Sequence, residues 1–135
     1  MKKLTRSEAI EIVKEFVSGP LEEEEWFVNI KPFVKAVIFY GSTSKELNRP
    51  DSDLDILLIV PIDTEEKYAP AGEYYFNYKG REIDVVLRSI EKLRVIAKEG
   101  KDEFQAEVFR MSEIIWESDN EIREIIKKLM KLLEK

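Results

Sequence analysis

The sequence predicts a mixed α/β (α+β) fold: a small mixed β-sheet with helices packed against it. Three observations carry this expectation. A capping box, Thr5-Arg6-Ser7-Glu8, opens an amphipathic run at the N-terminal end. Two β-branched and apolar runs, Lys35 to Tyr40 and Leu54 to Val60, read as strands, and Lys79-Gly80 reads as a hairpin turn between two more. The chain closes on a wide apolar stripe at helical spacing. The order is helices first, then strands with helices interspersed, which suits a sheet with helices against it.

Each element has a local reason. Thr5 caps a helix in which Ile10, Val13, Phe16 and Val17 share a face, and Ser18-Gly19-Pro20 stops it. Pro20 suits the first position of a second helix, and Glu22 to Glu25 suit its positively polarised first turn. Pro32 ends that helix near Ile30. Lys35 to Tyr40 is a buried strand. Thr43 to Asn48 is compatible with a short helix, and Arg49-Pro50-Asp51-Ser52 is a turn. Leu54 to Val60 lacks alternation, so both of its faces are expected to be covered, as in a central strand.

Beyond Val60, Pro61 to Gly72 reads as a loop, with breakers at Pro61 and Pro70. Glu73 to Tyr78 and Glu82 to Leu87 are the hairpin strands, and Tyr74, Tyr75, Phe76 and Tyr78 read mainly as sheet packing, with base stacking as their second reading. Ser89 caps a helix running to Glu99, with Gly100 at its C-terminal end. A shorter helix covers Glu103 to Arg110, and Ile114-Ile115-Trp116 reads as an edge strand. Ser118-Asp119-Asn120-Glu121 reads as a second capping box before the last helix. There Ile122, Ile125, Ile126, Leu129, Met130 and Leu133 form the stripe. Core packing is its first reading, and a homodimer or heteromer contact is its second. With no repeat, low-complexity stretch or linker, residues 1–135 are expected to form one domain.

Composition narrows the chemistry. The 135 residues contain no Cys and no His. That excludes disulfides, thiolate zinc sites, Ser-His-Asp triads and imidazole acid–base catalysis. Any metal is held by oxygen, which favours Mg²⁺, Mn²⁺ or Ca²⁺. The net charge of −6 argues against direct nucleic-acid binding and against a basic membrane binder. Neither a signal peptide nor an apolar run of spanning length is visible, so a soluble, cytoplasmic protein is expected.

Asp is disfavoured in strands. Yet Asp53 and Asp55 stand at the mouth of the most apolar strand, and Asp84 stands inside Ile83-Asp84-Val85-Val86. Residues two apart on a strand share a face, so Asp53 and Asp55 point the same way. If Asp84 lies at their level on a neighbouring strand, three carboxylates converge, and divalent cations offset their repulsion. Upstream, Gly41-Ser42 follows a strand and stands at a helix start, where free backbone N–H groups favour phosphate. For Lys45 and Arg49, phosphate contact competes with plain surface charge. Arg88 shares Asp84's face, as a phosphate contact or as a partner for the acidic cluster.

Gly41-Ser42, then Ser52-Asp53-Leu54-Asp55, with Asp84 beyond, resembles the DNA polymerase β-like nucleotidyltransferase superfamily. The small size points to its minimal nucleotidyltransferase (MNT) branch. The resemblance covers about residues 35–88. It implies a nucleotidyltransferase fold in which Asp53, Asp55 and Asp84 hold two Mg²⁺ ions (or Mn²⁺) and are catalytic. Gly41, Ser42, Lys45 and Arg49 would bind the nucleotide. Asp84 would also help activate the acceptor hydroxyl. The branch commonly shows Gly-Ser-Arg-Ala-Arg-Gly; here Thr43 and Lys45 replace its arginines and Glu46 its second glycine. Lys45 keeps charge without a bidentate fork, and Glu46 adds negative charge near the phosphate.

The implied activity is transfer of a nucleoside monophosphate, AMP from ATP, to a hydroxyl. Many members of the branch resemble antitoxins that adenylylate a tyrosine of a HEPN-type toxin, so such a toxin is the expected partner and acceptor. Two alternatives stand beside it: a non-catalytic MNT-fold antitoxin that binds its partner by contact, and nucleotidylation of a small hydroxylated molecule.

Overall fold

A computed structural model describes residues 5–40, 54–68 and 74–134. Helix α1 (Arg6–Ser18) begins at the expected capping box: the Thr5 side chain accepts from the Glu8 N–H, and the Glu8 carboxylate accepts from the Thr5 N–H. Gly19 ends it. The second helix comes in two pieces, a 3₁₀ turn (Pro20–Glu23) and helix α2 (Glu25–Ile30), because Glu24 is extended at φ −82°, ψ 122°. Pro32 sits in a further 3₁₀ turn, Lys31–Phe33, which leads into strand β1 (Ala36–Phe39).

Strand β2 (Leu54–Val60) is central, with every residue buried except the half-buried Asp55. It is followed not by a loop but by helix α3 (Ile62–Tyr68), which corrects the reading of 61–72. Pro61 precedes the helix rather than interrupting it, and its carbonyl accepts from the Thr64 and Glu65 N–H groups at 3.0 and 3.1 Å. Pro70, the other expected breaker, lies outside the described residues.

Strands β3 (Tyr74–Tyr78) and β4 (Arg81–Ser89) form the expected hairpin. Lys79 and Gly80 both have positive φ, 53° and 77°, as a two-residue type I′ connection requires. Helix α4 (Ile90–Glu99) runs from its Ser89 cap to Gly100, which is left-handed at φ 64°. Helix α5 (Glu103–Arg110), edge strand β5 (Glu113–Glu117) and helix α6 (Glu121–Lys131) complete the described chain.

The second capping box does not form. Ser118 is held by the sheet instead, its N–H donating to the Lys35 carbonyl at 2.9 Å. Asn120 precedes α6, and Asp119 Oδ1 accepts from the Glu121 N–H at 2.9 Å. The β-ladder outcompetes the local cap because it extends the pairing of β1 with β5 by one residue.

The five strands lie in the order β3-β4-β2-β1-β5. β2 and β4 are parallel, and the other neighbours are antiparallel. The sheet is therefore mixed, and both faces are covered. Alternate residues Leu54, Ile56, Leu58 and Val60 pack with Ala9, Val13, Phe16, Phe27 and Ile30 of α1 and α2. Leu57 and Ile59 point to the opposite face and pack with Ile90, Leu93, Ala106, Phe109, Ile122, Ile125 and Leu129 of α4, α5 and α6. The α6 stripe is thus divided: Ile122, Ile125 and Leu129 are buried in this core. Ile126 and Met130 line a groove of about 550 Å³ with Phe109 and Ile114.

Glu65 joins α3 to α4. It is 7% exposed, and its Oε2 accepts from the Ser89 N–H at 2.6 Å while Lys92 Nζ pairs with Oε1. A carboxylate at a helix N-terminus is stabilised by the helix dipole. Glu65→Ala strands a buried N–H and is expected to cost about 1–3 kcal/mol in urea denaturation. A loss under ~0.5 kcal/mol would contradict this role.

Helices α4 and α6 are tied at the surface. Arg94 donates from Nε to Glu121 Oε2 at 2.6 Å and from Nη2 to Oε1 at 2.9 Å. Those hydrogen bonds hold the Glu121 carboxyl below its ordinary pKa against the opposing effect of burial. The pair therefore adds stability above the ordinary Glu pKa and loses it as the pH falls through the depressed one. Arg94→Ala is expected to lower stability at pH 7 by under ~1 kcal/mol, as for an exposed pair. The gap between variant and parent closes on acidification; a constant gap from pH 7 to about pH 2 would contradict the linkage.

Candidate active site

Parallel pairing of β2 with β4 sets Asp55 directly beside Asp84. Neighbouring strands are about 4.8 Å apart, so two carboxylates stand abreast on one face. Both are half-buried. Alternation puts them on the α4–α6 face: Asp55 shares the side of Leu57 and Ile59, and Asp84 that of Val86. Like charges directly opposite each other across strands repel, and a bound cation would offset that repulsion.

The C-terminal end of β1 meets the same level. The Tyr40 N–H donates to the Asp55 carbonyl at 3.2 Å, so the peptide entering Gly41 starts beside Asp55. Gly41, Ser42, Lys45, Arg49 and Asp53 lie outside the described residues, as do the expected short helix and turn between them. Of the predicted site, then, the structure brings together Asp55, Asp84 and the strand end that leads to Gly41-Ser42.

The donor set suits a hard cation. Carboxylate oxygen is the only anionic ligand type available in a chain without Cys, and Mg²⁺ or Mn²⁺ accepts it. Among the described residues, which do not include Asp53, no group of three or more such ligands gathers.

Arg88 hydrogen-bonds to a side chain of α5. It lies four residues along β4 from Asp84, about 13 Å at strand rise, and its Nη1 donates to Gln105 Oε1 of α5 at 2.8 Å. It fastens α5 to the sheet.

The tyrosines separate by strand parity. Tyr74, Phe76 and Tyr78 face α1 and α2. Tyr74 stacks on Trp26 with centroids 3.9 Å apart and donates its hydroxyl to the Tyr68 carbonyl at 2.9 Å. Phe76 and Tyr78 pack on Phe16. Tyr75 points the other way, is 62% exposed, and is the register partner of Asp84. Tyr75, Asp84, Asp55 and Tyr40 therefore form one row across β3, β4, β2 and the end of β1. Its position in the Tyr-Tyr-Phe-Asn-Tyr alternation sets Tyr75 apart from the three aromatics that pack on α1 and α2.

A family model described as a nucleotidyltransferase domain matches residues 24–107, more than half of the chain. The chain belongs to that family. The matched stretch holds Gly41, Ser42, Asp53, Asp55 and Asp84. No curated protein matches the sequence significantly. Among solved structures, a nucleotidyltransferase-like protein from Exiguobacterium sibiricum superposes with a TM-score of 0.56 at 11% identity, over 90% of this chain. This chain spans 38% of that protein's length, and at such identity the likeness concerns the fold. Among the described residues no helix is long and apolar enough to cross a membrane.

Proposed function

We infer that the chain transfers a nucleoside monophosphate, AMP from ATP, to a hydroxyl acceptor in the cytoplasm. The observation that supports this most is the abreast placement of Asp55 and Asp84 beside the strand end leading into Gly41-Ser42. In this reading Asp53, Asp55 and Asp84 hold two Mg²⁺ ions. When bound, these ions neutralise triphosphate charge and lower the pKa of the acceptor hydroxyl.

The chain's own residues do the rest. Gly41 admits the phosphates to the backbone, and the Ser42 hydroxyl donates to them. Lys45 and Arg49 add positive charge. Asp84, on the β4 side, orients the acceptor hydroxyl and receives its proton. The acceptor oxygen bonds to the α-phosphorus, the bond to the β-phosphate's bridging oxygen breaks, and pyrophosphate departs. The rigid sheet supplies position, which is most of what phosphoryl transfer asks of a protein.

The acceptor in this reading is a tyrosine of a HEPN-type toxin, with the chain as its MNT-type antitoxin. The test combines the chain, ATP, Mg²⁺ and a HEPN-type partner, followed by mass spectrometry. AMP on a partner tyrosine, lost with Asp55→Ala, is the expected result. Folded chain that neither binds ATP nor modifies the partner would overturn it.

A second reading, a non-catalytic binding module, draws on two observations. Thr43 and Glu46 depart from the family's phosphate loop. Ile126 and Met130, partly buried against the core, also line a groove, an apolar strip for a protein contact. ATP binding abolished by Asp55→Ala in calorimetry would decide against it.

A further inference from the structure

We propose that this chain nucleotidylates itself on Tyr75. The inference rests on the nucleotidyl-transfer reading above and adds an acceptor within the chain. Tyr75 is the cross-strand partner of Asp84, on the same face of the sheet, and its ring is 62% exposed. A directly paired position on a neighbouring strand lies about 5 Å away, within reach of a long side chain.

The order across the sheet sets the direction of transfer. The phosphate-binding residues Gly41-Ser42 follow β1, the carboxylates stand on β2 and β4, and Tyr75 stands on β3. A triphosphate anchored near Gly41-Ser42 reaches the carboxylates from one side. Tyr75 stands on the other side of the carboxylates, on β3, and its phenol would approach from there. A tyrosine side chain is longer than an aspartate's, so the Tyr75 hydroxyl can extend past the Asp84 carboxylate.

The remaining described tyrosines are placed differently. Tyr74 and Tyr78 are on the opposite face, with their hydroxyls turned to the Tyr68 carbonyl and to Glu15. Tyr68 packs against the α1–α2 core. Tyr40 is on the correct face but half-buried against the α4–α6 core, on the phosphate side of the carboxylates.

The step balances without further reagents. Nucleoside triphosphate is the co-substrate. Tyr75 Oη forms a bond to the α-phosphorus, the bond from that phosphorus to the bridging oxygen breaks, and pyrophosphate leaves. The phenolic proton passes to Asp84 and then to water. The product is a phosphodiester on Tyr75 that fills the acceptor side of the site, so the modified chain is closed to other acceptors.

The test incubates the full chain with ATP and Mg²⁺ and locates added AMP by fragmentation. ATP binding is measured in parallel by calorimetry. In a third arm, Mn²⁺ is added to chain carrying ¹³C-labelled tyrosine, and ring line widths are read. The expected result is one AMP on Tyr75, absent from Tyr75→Phe and from Asp84→Asn, with Mn²⁺ broadening the Tyr75 ring well before that of Tyr78. Bound ATP with no nucleotide on Tyr75, or with the nucleotide on Tyr40, overturns self-modification and leaves the transferase reading standing. Folded chain that binds no ATP overturns both.

Discussion

Asp84→Asn is expected to remove nucleotidyl transfer, by ~10³-fold or more, while leaving stability equal to the parent's or higher. Losing several kcal/mol of charge stabilisation in a phosphoryl-transfer site corresponds to a factor of that size. The opposite sign for stability follows from register. Asp84 stands abreast of Asp55 on the parallel pair β2–β4, where two like charges repel. Asn keeps the shape and removes one charge. A residue retained for the fold would behave in reverse, losing stability and keeping activity. Paired measurements, rate with ATP and Mg²⁺ and midpoint in urea, separate the two. Retained activity with a stability loss above ~1 kcal/mol would contradict the catalytic assignment.

The largest structural effect is expected at Leu57. It is fully buried on the central strand, paired with Ile38 on one side and Val86 on the other. Its side chain enters the core that α4, α5 and α6 build on that face. Leu57→Ala removes buried methyl groups and leaves a cavity between rigid layers, so a loss of about 3 kcal/mol is expected. That is a large share of the roughly 5–15 kcal/mol that separates a native domain from its unfolded state. The midpoint in urea falls with the slope unchanged. A loss below ~1 kcal/mol would mean that the α4–α6 layer is not seated on β2 as described.

Much of this architecture was legible because local and global signals agree. Leu54 to Val60 is the strand that its unbroken apolar run implied, flanked on both sides and covered on both faces. Ser89 and Gly100 bound α4 as cap and left-handed terminus, each for its own backbone reason. Lys79-Gly80 marked the hairpin because few residues accept two consecutive positive φ values. The acidic pair was legible for the converse reason. Asp55 and Asp84 violate strand propensity inside otherwise ideal strands, and such local violations concentrate at functional sites.

What was not legible depended on contacts distant in sequence. Pro61 looks the same as a proline within a loop until Glu65 is seen holding the start of α4. Ser118 has the sequence of a helix cap, but the Lys35 carbonyl on β1 claims its N–H. Glu24 divides the second helix without any breaker residue to announce it. Tyr75 reads like its neighbours in composition, and only strand parity and the β3–β4 register place it on the face of Asp84. Two of the six stripe residues, Ile126 and Met130, pack partly buried against the core and also line a groove with Phe109 and Ile114, a division that the spacing of α6 alone does not show.

The most direct test is a crystal structure of the chain with Mn²⁺ and a non-hydrolysable ATP analogue, with the ions located by anomalous scattering. The expected result is Mn²⁺ bound to the carboxylates of Asp55 and Asp84, with the triphosphate on the side of Gly41-Ser42. Nucleotide bound elsewhere, or Mn²⁺ absent from that pair while nucleotide is present, would contradict a carboxylate-held metal site at this end of the sheet.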